Sequence, residues 1–420
     1  MPTLITAPHR NQLTLYNASC IDIACKPLVI NQFWLYNQNL DAEGLKSSLS
    51  EILGLYPTLA GRISGNSIVC NNSGVYFEEV SLTSEKTGDI SRLTIPEKQY
   101  QAEFDPKAAL AGKSPLMSVK LVSLKDGSLL NVKCSHFCLD GNGFYSMMEN
   151  WASASRGGRI TVRPVFDDTV FPSALSSSGL YGQILSMNAK EAELFLQNEG
   201  MFRIRQSVIF NMIWQKLARI DKRLSSPVRV SEQEIDFFKN LAMKACGKPV
   251  SRNAVLSALT VKLLEKSLGW SGKTTVSMIH TADHRGRKSG IPADYSGNAS
   301  FTLQPSTFEA GLPTEELAVL ADEDIRRMLS PDIEEKYFCL YCAMLVKKFP
   351  YLPFDIGAMW CSHPTTFIIN NCLKFNIYGM DFGHGTPAFA WPLDFSDPVR
   401  FWPAPPEEKG AYIYFTGPFA

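Results

Sequence analysis

From Ser128 to Phe137 the chain reads as a β-strand, and through the turn Cys138-Leu139-Asp140-Gly141 it passes directly into a helical pattern. Side chains alternate across a strand, so Leu130, Val132, Cys134 and His136 share one face, apolar up to its last residue. Gly141 and Gly143 let the backbone reverse. Phe144, Met147, Met148, Trp151 and Ala152 then recur at the spacing that buries one side of a helix, and Gly157-Gly158 stops it. The stretch predicts a mixed α/β unit. It also sets His136 at the inward end of an apolar face, one turn from Asp140. A histidine so placed is a sensible general base, because its surroundings can set its pKa near neutrality. The same spacing equally describes a satisfied core histidine and an aspartate capping the next helix. With six His in the chain, spacing alone favours that plainer reading.

At 420 residues the chain is long for one core, so two domains are expected. Its 45% hydrophobic and 20% charged residues are those of an ordinary globular protein. Basic and acidic side chains both number 41, which gives no sign of a nucleic-acid or membrane-surface partner. The start, Met1-Pro2-Thr3-Leu4-Ile5-Thr6, lacks the basic and apolar regions of a signal peptide. No apolar run is long enough to span a bilayer. Ten cysteines without disulfide-framework spacing fit reduced thiols. A monomer in the cytosol, with no metal and no permanently bound cofactor, is expected.

Along the chain, Asp41 caps a helix with Leu45, Leu49, Ile52 and Leu53 inward. Ser67 to Phe77 reads as a hairpin around Asn71-Asn72-Ser73-Gly74. Leu116 to Leu124 is a strand that turns at Lys125-Asp126-Gly127. Between Asp167 and Ser186 the composition becomes that of a linker, which suggests domains over 1–170 and 207–420 joined by 171–206. A strand is expected near Ser207 to Trp214. Ser231 opens a helix with a capping box, a second helix runs from near Ser251 to Gly269, and a third follows Thr314. Thr274 to His280, Thr366 to Asn370, Lys374 to Tyr378 and Ala411 to Thr416 read as strands.

Several suggestive stretches carry little. Gly272-Lys273-Thr274 lacks the first glycine of a phosphate loop, since Ser267 stands there. Cys339-x-x-Cys342 has no second pair at metal spacing and reads as buried thiols. No Gly-x-Ser-x-Gly elbow is present, so a serine acyl-enzyme is not indicated.

With these pieces placed, the chain resembles the BAHD acyltransferases, the HxxxD transferases that move acyl groups from coenzyme A to alcohols or amines. Five stretches carry the resemblance in order: Tyr56-Pro57-Thr58-Leu59-Ala60-Gly61-Arg62; His136-Phe137-Cys138-Leu139-Asp140-Gly141; Asn150-Trp151-Ala152; Asp283-His284-Arg285-Gly286-Arg287 with Tyr295-Ser296-Gly297-Asn298; and Asp381-Phe382-Gly383-His384-Gly385. The resemblance implies an α/β fold of two similar chloramphenicol-acetyltransferase-like domains, each a mixed β-sheet flanked by helices, with a channel between them. It implies direct transfer with His136 as general base, worth ~100- to 10,000-fold, and acyl-CoA as co-substrate. His136 and Asp140 are the candidate catalytic pair. Asp140 looks structural in such enzymes, turned away to pair with an arginine, for which Arg285 is the candidate.

Contacts to coenzyme A are implied at Ser251, Arg252 and Asn253, where a helix begins, and in the loop carrying Asp283, Arg285 and Arg287. Arginines and a helix start suit phosphates; a capped helix and a solvated loop are the plain alternative. Asn370 and Asn371, with Cys372, stand where relatives carry a hydroxyl residue and a Trp. An Asn370 amide suits a tetrahedral oxyanion as well as a strand-end turn, and the two readings stand level. His384 replaces the usual Trp of the last motif and reads as a hydrogen-bonded structural histidine. The resulting expectation is an acyl-CoA-dependent O- or N-acyltransferase acting on a small secondary metabolite. A condensation-type enzyme using a carrier-protein-bound donor is the alternative within the fold, although Ser135 stands where such enzymes have a second His. A repurposed binding or cyclising scaffold is the alternative outside it.

Overall fold

A computed structural model describes residues 2–9, 13–94, 96–160, 162–188, 190–191, 194–195, 226–302, 307–347, 365–393 and 399–416. They form two compact units. The first comprises Met1–Pro172, Ile291–Ala299 and Phe375–Asp394, the second Ser173–Gly290, Ser300–Lys374 and Phe395–Ala420. The division is discontinuous, unlike the single cut that composition suggests, because two later segments belong with the first unit.

In the first unit six strands form one sheet in the order β1 (Thr3–Ile5), β6 (Val75–Leu82), β7 (Met117–Leu124), β8 (Ser128–Ser135), β3 (Val29–Tyr36), β14 (Phe389–Pro392). Only the β6–β7 pair is parallel. The turn between β7 and β8 needs glycine at 127, where a Cβ would lie 2.1 Å from the Tyr36 carbonyl oxygen. β8 is central, and its residues are buried on both faces except Lys133.

Against this sheet pack α2 (Ala42–Leu55), capped by Asp41, and α5 (Gly141–Ser155), capped by Asp140. The Trp151 indole N–H bridges the two helices by donating to the Leu45 carbonyl and the Ser48 hydroxyl. Phe144, Met147, Met148 and Trp151 are fully buried, each contributing roughly 1.5–3 kcal/mol. A small sheet of β2 (Leu15–Asn17), β5 (Ser67–Val69) and β4 (Arg62–Ser64) adjoins α1 (Cys20–Cys25). Two short helices, α3 (Thr87–Ile90) and α4 (Pro106–Leu110), complete the unit.

The expected hairpin over Ser67 to Phe77 does not form. β5 pairs with β2 and β4, whereas β6 pairs with β1 and β7. The polar turn residues serve a crossing between sheets. Asn72 clasps the N–H and carbonyl of Ala7, and the Arg62 guanidinium binds the carbonyls of Gly61, Ser73 and Gly74. Lys374 to Tyr378 is no strand either. It leads into the turn Ile377–Gly379, and the carbonyls of Ile377 and Met380 accept from the Trp34 indole and the Tyr36 hydroxyl. The stretch read as a linker holds two short helices, α6 (Val170–Ser176) and α7 (Gly179–Ser186). The expected strand at 207–214 lies outside the described residues.

The second unit has a mixed sheet in the order β11 (Ser300–Thr302), β10 (Thr275–Asp283), β13 (Thr366–Asn371), β15 (Val399–Pro403), β16 (Ala411–Phe415), β9 (Val228–Val230), with β12 (Thr307–Glu309) also on β10. β10, β13 and β15 run parallel. Among the described residues α7 is joined in this unit by α8 (Glu232–Cys246), α9 (Arg252–Leu268), α10 (Thr314–Met328) and α11 (Pro331–Lys347). The capping box at Ser231 opens α8 and the left-handed Gly269 ends α9 as the sequence predicts, and Gly247, also left-handed, ends α8. Leu256, Ile279, Leu317, Ile368, Phe401 and Ile413 lie in its core.

Candidate active site

In the first unit β8 ends at Ser135 and delivers His136, whose N–H is held by the Leu28 carbonyl at 3.0 Å. Its flanks Phe137 and Cys138 are fully buried, while the His136 ring keeps partial exposure. The ring's Nδ1 lies 2.9 Å from Asn298 Oδ1, and Asn298 Nδ2 donates to the His136 carbonyl at 2.9 Å. The segment Ile291–Ala299 thus reaches back from far along the chain to the histidine that follows β8. It is held there by Val165, whose carbonyl accepts from Ser296 N–H at 2.8 Å.

Asp140 performs two structural tasks within this unit. Oδ1 accepts from Gly143 N–H and caps α5, and Oδ2 accepts from Ala299 N–H, both at 3.0 Å. The carboxylate therefore ties the start of α5 to the residue next to Asn298. Gly143 permits that approach, since a Cβ there would come within 2.6 Å of the Ser296 carbonyl oxygen.

The remaining candidates lie in the second unit, close together at one end of its parallel strands. Ser251 caps α9, accepting from Ala254 N–H, and its own N–H donates to Asp322. Arg252 is half-buried and paired with Glu232 at 2.9 Å. Asn253 Nδ2 lies 3.5 Å from His280 Nδ1 on β10. Burial pushes that imidazole down to about 4. His280 pairs in register with Ile369, one residue before Asn370 on β13, so the α9 start, β10 and the Asn370-Asn371 pair are neighbours. Cys372 donates its thiol to Asn370 Oδ1 at 3.5 Å, and the Asn371 side chain accepts from Leu373 N–H.

The loop after β10 is built on Asp283. Its Oδ1 accepts from the Arg285 N–H and guanidinium at 3.1 and 2.9 Å, and its carbonyl accepts from Arg287 Nε. Arg285 is buried, Arg287 exposed. Arg285 belongs to the second unit. His284, fully buried, stacks on Phe301 and holds Glu334 at 2.6 Å, while Glu334 also takes Ser289 N–H. Burial lowers the His284 pKa.

His384 differs from its expected role. It lines a surface groove of the first unit with Asp41, Gly44, Ser155, Arg156 and Phe382, and its ring makes no hydrogen bond among the described residues. The motif is shaped instead by Asp381, whose Oδ1 accepts from Gly383 and Gly385 N–H. Its carbonyl takes Arg156. Asn298 is the site residue that sequence reasoning passed over as a binding or catalytic group. It lies 162 residues from His136, and only the Tyr295-Ser296-Gly297-Asn298 motif marks it.

The Transferase family model matches residues 3–416. Over 413 residues the chain is 22% identical to hydroxycinnamoyl-CoA:piscidic acid hydroxycinnamoyltransferase of Actaea racemosa, covering 91% of this chain and 87% of that one. It is 24% identical over 409 residues to acetyl-CoA-benzylalcohol acetyltransferase of Clarkia breweri, covering 91% and 85%. The crystal structure of vinorine synthase matches with a TM-score of 0.67 at 19% identity, over 99% of this chain and 93% of that chain. No helix among the described residues is long and apolar enough to cross a membrane.

Proposed function

This chain belongs to the transferase family, among its BAHD acyltransferases with their two-domain chloramphenicol-acetyltransferase-like fold, and from that premise we propose that it transfers an acyl group from acyl-CoA to the hydroxyl, or amine, of a small secondary metabolite. The observation that carries this reading is His136, set at the end of β8 with Nδ1 turned to Asn298. Nε2 is then the nitrogen left to act as base. The acceptor's O–H gives its proton to Nε2 as the oxygen attacks the thioester carbonyl. A C–O bond forms, the carbonyl becomes a tetrahedral oxyanion, and its collapse breaks the C–S bond. The proton passes from Nε2 to the departing sulfur, so free coenzyme A and the ester leave together and the enzyme is restored.

Asp140 acts in this scheme by aiming the chain that carries His136 and Asn298. Coenzyme A is a co-substrate whose phosphates suit Arg252 and Arg287, the half-buried and the exposed guanidinium of the second unit. Ser251, Asn253, Asp283 and Arg285 hold the framework of those two arginines. Asn370 and Asn371 are the candidates to donate to the oxyanion. The names of these relatives support acyl-CoA donors, and that of the Clarkia breweri enzyme an alcohol acceptor.

A panel of acyl-CoAs with alcohol and amine acceptors, followed by free-thiol release and mass spectrometry of the product, tests the proposal. An acceptor-dependent release of coenzyme A with a mass gain of one acyl group is the expected result. Transfer from an acyl carrier protein but from no acyl-CoA overturns the choice of donor. Binding without transfer from either overturns the reaction.

A further inference from the structure

Behind Asn298 lies a buried polar chain that the transfer chemistry leaves unexplained. Asn298 Nδ2 has two hydrogens, and both have acceptors: Asp22 Oδ1 at 2.7 Å and the His136 carbonyl at 2.9 Å. The oxygen end therefore faces His136 Nδ1, and an amide oxygen only accepts. Rotating the amide would set that oxygen against a carboxylate and a carbonyl. The network, then, fixes which end of the amide points where. The hydrogen of this contact must sit on Nδ1.

Asp22 is what makes the rotation costly. It is fully buried in α1, and its two oxygens accept from four donors. Asn298 N–H at 2.9 Å joins Nδ2 on Oδ1, and Ser19 N–H at 2.7 Å joins the Tyr16 hydroxyl at 3.0 Å on Oδ2. The Tyr16 hydroxyl in turn lies 2.7 Å from that of Tyr295. Burial raises the Asp22 pKa above its ordinary value, against the hydrogen bonds of Asn298 and Ser19 that lower it; Oδ1, which takes both the backbone N–H and Nδ2 of Asn298, is an acceptor. Among the described residues no lysine or arginine makes an ion pair with it. Gly297 belongs to the same construction, because a Cβ there would lie 2.5 Å from both tyrosine oxygens.

We propose that Asp22 is a positioning residue: acting through Asn298, its carboxylate holds His136 in the tautomer with hydrogen on Nδ1 and keeps the lone pair on Nε2. The proposal rests on His136 being the general base, but its central claim concerns the tautomer and is read without substrate. Nitrogen-15 spectra of labelled protein separate protonated from bare imidazole nitrogens, and the His136 signal is the one lost in His136→Gln. Wild type is expected to carry its neutral-state hydrogen on Nδ1, and Asp22→Asn to shift it wholly or partly to Nε2. Hydrogen on Nε2 in wild type overturns the proposal whether or not the variant folds, and so does a folded Asp22→Asn with unchanged tautomer.

Kinetics supply the second arm once a substrate pair is found. Asp22→Asn is expected to lower kcat about tenfold or more with KM for acyl-CoA within about twofold. In an Asn298→Ala background the same change is expected to cost less than about twofold. Full additivity overturns the route through Asn298. If no acyl-CoA is turned over, the general-base reading falls, while the spectra still decide what Asp22 does.

Discussion

Replacing His136 by alanine removes the ring and its bond to Asn298 Oδ1, while the backbone bonds to Leu28 and Asn298 stay. Turnover is expected to fall at least about 100-fold, the lower end for a general base, with the melting temperature near wild type. A rate above about a tenth of wild type would exclude the role. His280 is a different kind of histidine, neutral because it is buried, with its pKa pushed down to about 4. Its unfolded value is about 6.5, so its contribution to stability is fully present above about pH 6.5 and is lost as pH falls toward about 4. At ~1.4 kcal/mol per pH unit that amounts to about 3 kcal/mol. Chemical denaturation at several pH values should show a shallower acid slope for His280→Gln, and an unchanged slope would remove His280 from the account. Of the site, His136 and Asp140 were legible because one continuous strand, turn and helix places both. Asn298 and Asp22 were not, since they meet across 276 positions of chain. The box Ser19-x-x-Asp22 marks only a helix start from sequence; its aspartate side chain is turned to Asn298 by tertiary packing.

The start of α5 shows how an element is aimed. Asp140→Ala removes an N-cap worth about 1 kcal/mol and strands the Ala299 N–H, at about 1–3 kcal/mol more. Asp140→Asn keeps one acceptor oxygen and should recover part of the loss in a denaturant melt; equal losses for the two variants would argue against the two-bond arrangement. Gly143→Ala ordinarily improves a helix by up to ~1 kcal/mol. Here the new Cβ meets the Ser296 carbonyl at 2.6 Å, so the variant is expected to lose both stability and activity, and a stabilised variant would contradict the close approach. The elements with caps and periodic apolar faces, α2, α5, α8 and α9, were legible from sequence for that reason, and α10 for the acidic residues of its first turn and the arginines of its last. Turn residues were less informative. Asn71 to Gly74 mark a bend, but pairing in two different sheets decides where the chain goes next. β14 and β15 are short, and nothing local separates them from loops.

For the whole molecule, direct transfer predicts intersecting lines in two-substrate kinetics and no acylated peptide by mass spectrometry. Cys134 and Cys138, beside the histidine, are fully buried, and burial raises the Cys138 thiol far from a useful nucleophile. Parallel lines would reverse that conclusion. The organisation into units has its own test. The first unit needs Phe375–Asp394, because β14 covers the outer edge of β3 and takes Leu35 and Asn31 into further hydrogen bonds. A fragment ending at Pro172 is expected to aggregate or lack a cooperative melt, and a separate well-folded fragment would show that edge to be dispensable. On the ribosome the same arrangement sets a waiting time. About 250 residues separate β8 from β14, and at ~5–20 residues per second they take roughly 10–50 s to add. Through that interval Phe33, Trp34 and Leu35 stand on a strand paired with β8 on one side and open on the other, so the yield of this protein in a cell depends on what occupies that edge until β14 is made.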